Sequence, residues 1–145
     1  MTVTTGVPAV TRRVEHVDTD AAGVVHFSRY ASLLETAILE TLETLGAGVH
    51  RLLGEGLDLA VTDLRMTYLA PARFLDDLAI QVSVDQVGGA SCRLAGEIAR
   101  VAPGPATPLA HGTLRLCAVR RTDQKPAPLP GWMRTILRDA KDDPR

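Results

Sequence analysis

The chain has 145 residues and a formal net charge of −1, which fits one ordinary domain and gives no electrostatic reason for nucleic acid or an anionic membrane as partner. Hydrophobic residues supply 46% of the chain and aromatics only 3%, so Leu, Val, Ile and Ala have to fill the core. No uninterrupted apolar run approaches the roughly 20 residues of a membrane span, and Met1–Ala9 lacks the basic-then-apolar pattern of a signal peptide, so the expectation is a single cytoplasmic domain.

In chain order, Thr11–Val17 reads as a short strand that runs into the turn-rich loop Asp18-Thr19-Asp20-Ala21-Ala22-Gly23. A helical pattern follows, from about Ser28 to Leu45. Tyr30, Leu34, Ala37, Ile38, Thr41 and Leu45 recur on one face at steps of three and four. Ser28 is the expected N-cap, and Gly46 and Gly48 are stop signals. Arg29, Ser32, Thr36, Glu40 and Glu43 form the opposite face, with Leu39 among them as a hint of a further contact. Val49–Leu53 makes a brief second helical piece.

From Leu57 the period changes to two. Leu57–Leu69 is an extended run ended by Pro71. Leu78, Ile80, Val82 and Val84 alternate with Ala79, Gln81, Ser83 and Asp85, the pattern of a half-buried strand. Gly88-Gly89 provides a tight turn into a strand over Ser91–Val101, and Leu109–Arg121 is a last long strand. After the turn-rich Thr122–Gly131, Trp132–Ala140 reads as a short helix and Lys141–Arg145 as a polar tail. Cys92 and Cys117 lie in strand-like segments and read as small buried hydrophobes in a reducing compartment rather than as a disulfide. His16, His26, His50 and His111 form no Cys/His cluster of zinc spacing, so neither a metal nor a cofactor is expected.

A strand, a long helix and then strands joined by short turns imply an antiparallel sheet. Such a sheet curled around one long helix is an α+β solution. The chain therefore reads as one domain over residues 1–145, with its core over about 10–132 and a short helix and tail after it.

The segment richest in chemistry is Val17 to Tyr30, which sets a carboxylate a few residues before the principal helix. Amides at a helix N-terminus are unpaired and carry roughly half a positive charge. A carboxylate facing such amides suits thioester hydrolysis. The amides hold the carbonyl oxygen as it becomes an oxyanion, and the carboxylate attacks the carbonyl carbon or takes a proton from water. Gly23 gives the loop the backbone freedom to keep both parts close.

Asp18-Thr19-Asp20-Ala21-Ala22-Gly23-Val24-Val25, with Phe27 and Tyr30, resembles the signature of the 4-hydroxybenzoyl-CoA thioesterase group of hot-dog-fold enzymes. Within it, the Tol-Pal-associated acyl-CoA thioesterase subgroup is the most similar. The likeness continues through Tyr68-Leu69-Ala70-Pro71-Ala72-Arg73, Asp76-Asp77 and Lys125-Pro126-Ala127-Pro128-Leu129-Pro130. The resemblance implies a thioesterase of acyl-CoA or acyl carrier protein, with Asp20 as the catalytic carboxylate and the Phe27 amide as principal oxyanion donor. Gly23, Val25, His26, Tyr30, Glu35, Tyr68 and Ser91 are the expected substrate-binding positions. It also implies a homodimer or homotetramer in which two sheets join and each site draws on both chains. Asp18 is assigned to the loop. Gly88-Gly89 stands where the 4-hydroxybenzoyl enzyme has adjacent arginines, a departure that argues against an aromatic acyl group. Arg73, Arg93, Arg120, Arg121 and Lys125 are weighed as contacts for CoA phosphates against an ordinary solvated role, which is favoured for each.

The rivals are a hot-dog enoyl hydratase or dehydratase and a non-catalytic acyl-CoA-binding module. A hydratase pattern sets His five positions after Asp; here His26 lies six after Asp20. A binding module has no use for a carboxylate aimed at the carbonyl.

Overall fold

The computed structural model describes residues 6–142. Part of the Met1–Ala9 stretch and residues 143–145 of the expected polar tail lie outside the described residues. The elements are β1 (Val10–Arg13), α1 (Phe27–Leu45), α2 (Val49–Gly54), β2 (Leu57–Tyr68), β3 (Asp77–Val87), β4 (Ser91–Ala102), β5 (Thr107–Arg120) and α3 (Gly131–Asp142), with a single 3₁₀ turn over His16–Asp18. The five strands form one antiparallel sheet in the order β1-β3-β4-β5-β2. The sheet packs on α1, which supplies the centre of the core.

The first strand is shorter than its expected span of Thr11–Val17. Glu15 to Asp18 closes into the 3₁₀ turn instead, because the Glu15 amide donates to Asp18 Oδ2 at 2.9 Å and the Asp18 amide donates to the Glu15 carbonyl at 3.0 Å. The turn swings Val17 out to 74% exposure, a position the alternating strand pattern assigned to a sheet.

α1 buries Tyr30, Leu34, Ala37, Ile38, Thr41 and Leu42. Each of its large apolar side chains, moved from water to the core, contributes about 1.5–3 kcal/mol. Leu42 takes the place expected for Leu45, which is only half-buried. Gly46 ends the helix in the left-handed region at φ 86°, and the Ala47 amide folds back onto the Leu42 carbonyl at 2.9 Å. Leu39 is half-buried against the edge of the core. It thus belongs to the rim of the apolar face rather than to a polar one. The N-cap also differs from expectation: it is His26, whose side chain accepts from the Ser28 amide.

The close approach of α1 to the sheet has a specific cause. Gly96 on β4 and Gly112 on β5 are cross-strand partners and face the helix. A Cβ on Gly96 would collide with Leu34 Cδ1, and one on Gly112 would sit 3.0 Å from Leu34 Cδ2 and collide with the Arg65 carbonyl and Met66 Sδ. Two strands without side chains at one level form a notch, and Leu34 fills it.

α3 covers the other end of the core with Met133 and Leu137, both fully buried. Its Trp132 ring carries the Arg51 guanidinium from α2 at 3.8 Å, a cation–π contact. Cys92 sits opposite Leu116 and Cys117 opposite Ser91, so the two thiols point to opposite faces of the sheet and both are free. Burial pushes the Cys92 thiol up to about 12, with a smaller push from Cys117. The reactive thiolate of Cys92 is therefore suppressed at neutral pH.

Candidate active site

The loop before α1 folds back on itself as a clasp. The His26 amide donates to the Asp18 carbonyl at 2.9 Å, and the Asp20 amide donates to the Val24 carbonyl at 2.9 Å. Between these rungs Thr19 and Val25 form an antiparallel bridge. Gly23 closes the tip at φ 82°, with its amide on the Asp20 carbonyl at 3.0 Å. A Cβ there would meet nothing within 4 Å, so glycine is needed for its backbone angle, not for space.

Asp20 stands on this tip, exposed to solvent. Its Oδ1 accepts from the Ala22 amide at 2.8 Å and more weakly from the Val24 amide at 3.4 Å. Among the described residues Oδ2 has no donor, so one carboxylate oxygen shapes the turn while the other stays open.

Asp18 has the opposite character. It is 6% exposed, and its Oδ1 receives both Nε and Nη2 of Arg29 at 2.8 Å. Oδ2 takes the Glu15 amide, and the carbonyl takes His26. One buried residue thus ties the 3₁₀ turn, the clasp and the first turn of α1 together, the clasp through its backbone and the other two through its carboxylate. Arg29, its partner on α1, is a supporting residue the sequence reading left on the polar face. Its only signal was an Asp and an Arg flanking one loop.

Phe27 opens α1, so its amide has no acceptor within the helix. The two amides beside it are engaged. Ser28 N–H points to His26 Nδ1 at 3.3 Å, with Ser28 Oγ 2.8 Å from the same nitrogen, and Arg29 N–H donates to the His26 carbonyl at 2.9 Å. The Phe27 ring stacks on the His26 ring at 4.6 Å and is itself 65% exposed.

An apolar depression of about 320 Å³ is lined by Val25, Phe27, Tyr30, Tyr68, Leu69, Ala70 and Pro71. The segment after β2 pins it from below. Ala72 accepts from the Val25 amide at 2.9 Å and donates its own amide to the Tyr30 hydroxyl at 3.0 Å. The Tyr68 hydroxyl donates to the Phe27 carbonyl at 3.2 Å, and the Tyr68 and Tyr30 rings meet edge to face at 5.4 Å. Buried Asp76 holds the far side of this segment through the Arg73 amide at 2.9 Å, and Arg73 bridges Val24 in the clasp. Leu69, Ala70, Pro71 and Ala72 were legible in sequence only as part of a motif, not as lining.

The family model of the thioesterase-like superfamily matches residues 14–137. The chain belongs to that superfamily. An acyl-CoA thioester hydrolase, YbgC, of Escherichia coli is 35% identical over 79 residues, which cover 54% of this chain and 59% of the relative. The chain thus spans about three fifths of the length of that relative. A 1,4-dihydroxy-2-naphthoyl-CoA hydrolase of Thermosynechococcus vestitus is 26% identical over 135 residues, covering 90% of this chain and 91% of its own. Among solved structures, a hypothetical protein from Thermus thermophilus superposes with a TM-score of 0.83 at 26% identity, covering 92% of this chain and 99% of that one. The architecture is that of the hot-dog fold, as the sequence led us to expect.

Within this thioesterase-like domain the clasp brings Asp20, Gly23, Val25, His26, Phe27, Tyr30 and Tyr68 to one end of the sheet. Two further expected positions lie elsewhere in the chain. Glu35 is exposed on α1, eight residues and so about 12 Å of helix beyond Phe27, and it does not line the depression. Ser91 begins β4 at the opposite end of the sheet, in a separate pocket of 310 Å³ shared with Gln86, Gly88, Cys92, Arg93 and Arg115. The depression is near Tyr68, which pairs with Ala110, whereas Ser91 pairs with Cys117. Seven residues of β5 separate the two levels, about 23 Å at 3.3 Å per residue. Among the described residues no group of three or more His, Cys, Asp or Glu is arranged to hold a metal ion. No helix among them is long and apolar enough to cross a membrane.

Proposed function

We propose that this domain hydrolyses an acyl thioester, of coenzyme A or of an acyl carrier protein, to the free acid and the thiol. The observation that carries the reading is the clasp, whose tip bears Asp20 with one oxygen open and whose far end runs into Phe27, the first residue of α1, which lines an apolar depression. The thioester carbonyl sits with its oxygen on the Phe27 amide, where the positive end of α1 stabilises the oxyanion. Asp20 Oδ2 takes a proton from water as that water attacks the carbonyl carbon, or attacks the carbon itself to form an anhydride that water then opens. In either route the C–S bond breaks and the sulfur leaves as a thiol with the proton released from water. Val25, Tyr30 and Tyr68 line the acyl side, Gly23 shapes the turn, and the His26 cap holds the helix end. Glu35 and Ser91 enter this site from a second chain. The superfamily match and the CoA-thioester hydrolases among the relatives support this chemistry.

The hydratase reading gains nothing from His26: its Nδ1 is engaged by Ser28, and among the described residues it makes no hydrogen bond to Asp20. The decisive substitution is Asp20→Asn. The amide oxygen still accepts from the Ala22 N–H, so the turn persists while the charge is lost. We expect kcat for the best acyl-CoA to fall at least roughly 10²-fold, with a melting temperature close to that of the wild type. Near-normal turnover would reject Asp20 as catalyst, and a matching collapse of the melt would make it a structural cap.

A further inference from the structure

The separate pocket of 310 Å³ at the β3–β4 turn is lined by Gln86, Gly88, Ser91, Cys92, Arg93 and Arg115, and its chemistry is the opposite of the apolar depression at Phe27. From sequence Arg93 reads as one more solvated cation. Strand register instead makes it the direct partner of Arg115 on β5, so the two Cβ atoms lie about 4.5–5.5 Å apart on one face of the sheet. Like charges placed directly opposite destabilise a strand pair, and the nearby carboxylates relieve them little. Asp85 approaches Arg93 only to 3.8 Å, with each side chain more than a third exposed, a pairing that solvent screens. Asp63 faces Arg115 from β2, but its Oδ2 is held by Arg65 at 3.2 Å. Among the described residues the Arg115 guanidinium, the Ser91 hydroxyl and the Gln86 side-chain amide have no hydrogen-bond or ion-pair partner. A Cβ on Gly88 would stand 3.3 Å from the Ser91 carbonyl and 3.9 Å from its Oγ, so glycine there keeps the serine side of the pocket clear. Two facing cations and two unpaired groups able to donate hydrogen bonds thus converge on one space.

We propose that this pocket is an anion site for a phosphate group, with Arg93 and Arg115 on its oxygens and Ser91 and Gln86 donating beside them. The guanidinium fork matches phosphate oxygens, and a bound dianion turns the repulsion between the two arginines into a shared attraction. Two sources supply this chemistry. One is the phosphate end of the substrate's thiol arm, in which case the inference rests on the thioesterase reading and the pocket serves the site of a second chain, as proposed for Ser91. The other is a free phosphate ester that binds independently of the thioester.

Calorimetric titration with adenosine 3′,5′-bisphosphate needs no turnover, so it tests the pocket apart from the thioesterase reading. Wild type, Arg93→Gln and Arg115→Gln are compared with Arg138→Gln, a control of equal charge on the exposed side of α3, each with a thermal melt. The bisphosphate is expected to bind wild type and control alike, and each pocket variant at least about tenfold more weakly, the scale of one charged hydrogen bond. The melts should hold, because either pocket substitution removes a like-charge contact. No binding to wild type, or equal weakening in Arg138→Gln, overturns the inference. The ratio of kcat/KM on acyl-CoA to that on the same acyl group carried by pantetheine, which has no phosphate, separates the sources. A ratio that falls at least about tenfold in Arg115→Gln, through KM, assigns the phosphate to the substrate. A ratio that holds, while the titration still separates the variants, assigns the site to a free phosphate ester. A wild type that cleaves neither thioester overturns the thioesterase reading, and the titration alone then decides the anion site.

Discussion

The two aspartates of the Asp18-Thr19-Asp20 segment are alike in sequence and opposite in environment. Asp20 is exposed with one oxygen free, and in the proposed mechanism its substitution acts on chemistry. Asp18 is buried, with its carboxylate shared between Arg29 and the Glu15 amide. As a loop residue, Asp18 is expected to cost little activity when changed to Asn. Its environment adds a cost in stability. Asp18→Asn leaves the Arg29 guanidinium without its counter-charge and weakens the join between clasp and helix. Arg29 keeps 41% of its side chain in water, so it rehydrates in part. The expected loss is about 1–3 kcal/mol, below the 3–5 typical of a fully buried pair. Urea unfolding of both variants checks this: the midpoint should drop for Asp18→Asn and hold for Asp20→Asn. Equal midpoints would mean that the buried pair contributes nothing net.

At the scale of the element, the N-terminus of α1 depends on His26. Histidine is not among the favoured N-cap residues, and Ser28 looked like the cap because it is. The backbone decides otherwise: His26 is extended at φ −63° and ψ 138° while Phe27 is already helical, so the residue able to cap is the one before Phe27. We expect His26→Ala to lose about 1 kcal/mol, the usual worth of a cap, and His26→Asn to recover most of it by supplying an acceptor in the same place. Thermal melts of the two variants decide between capping and ring stacking on Phe27. If Asn fails to restore what Ala loses, the stack rather than the cap holds the helix end.

At the scale of the molecule, the sheet ends in two unequal edges. β1 is a four-residue strand, but β2 exposes an edge of twelve residues that bears Val61, Leu64 and Tyr68, each more than 40% exposed. A long apolar edge is a template for strand pairing. Two copies joined antiparallel along β2 set the Ser91 end of one sheet beside the Tyr68 end of the other. For the proposed site, such a pairing would bring Ser91 of a second chain toward Asp20, from which it is remote in its own chain. We therefore expect a homodimer, with a tetramer as the larger form. Leu64→Lys should shift it toward monomer in light scattering at micromolar concentration, with circular dichroism unchanged. An active wild-type monomer at that concentration would contradict this assembly.

Sequence alone determined the long helix and the run of strands, because these rest on local periodicity. The 3.6-residue period of Tyr30, Leu34, Ala37 and Ile38 and the two-residue period of Leu78 to Val84 each need only their own neighbours to be read. The place of Asp20 just before α1 was legible for a related reason, since a carboxylate shortly before a helix start is a local arrangement. Only tertiary structure decided which partner each residue meets. The burial of Asp18 depends on Arg29, eleven residues on. The Tyr30 hydroxyl finds Ala72 across the fold. Gly96 and Gly112 read as weak points in two separate strands until strand register sets them side by side under Leu34. Such contacts join chain segments far apart in sequence, so no pattern within either segment records them.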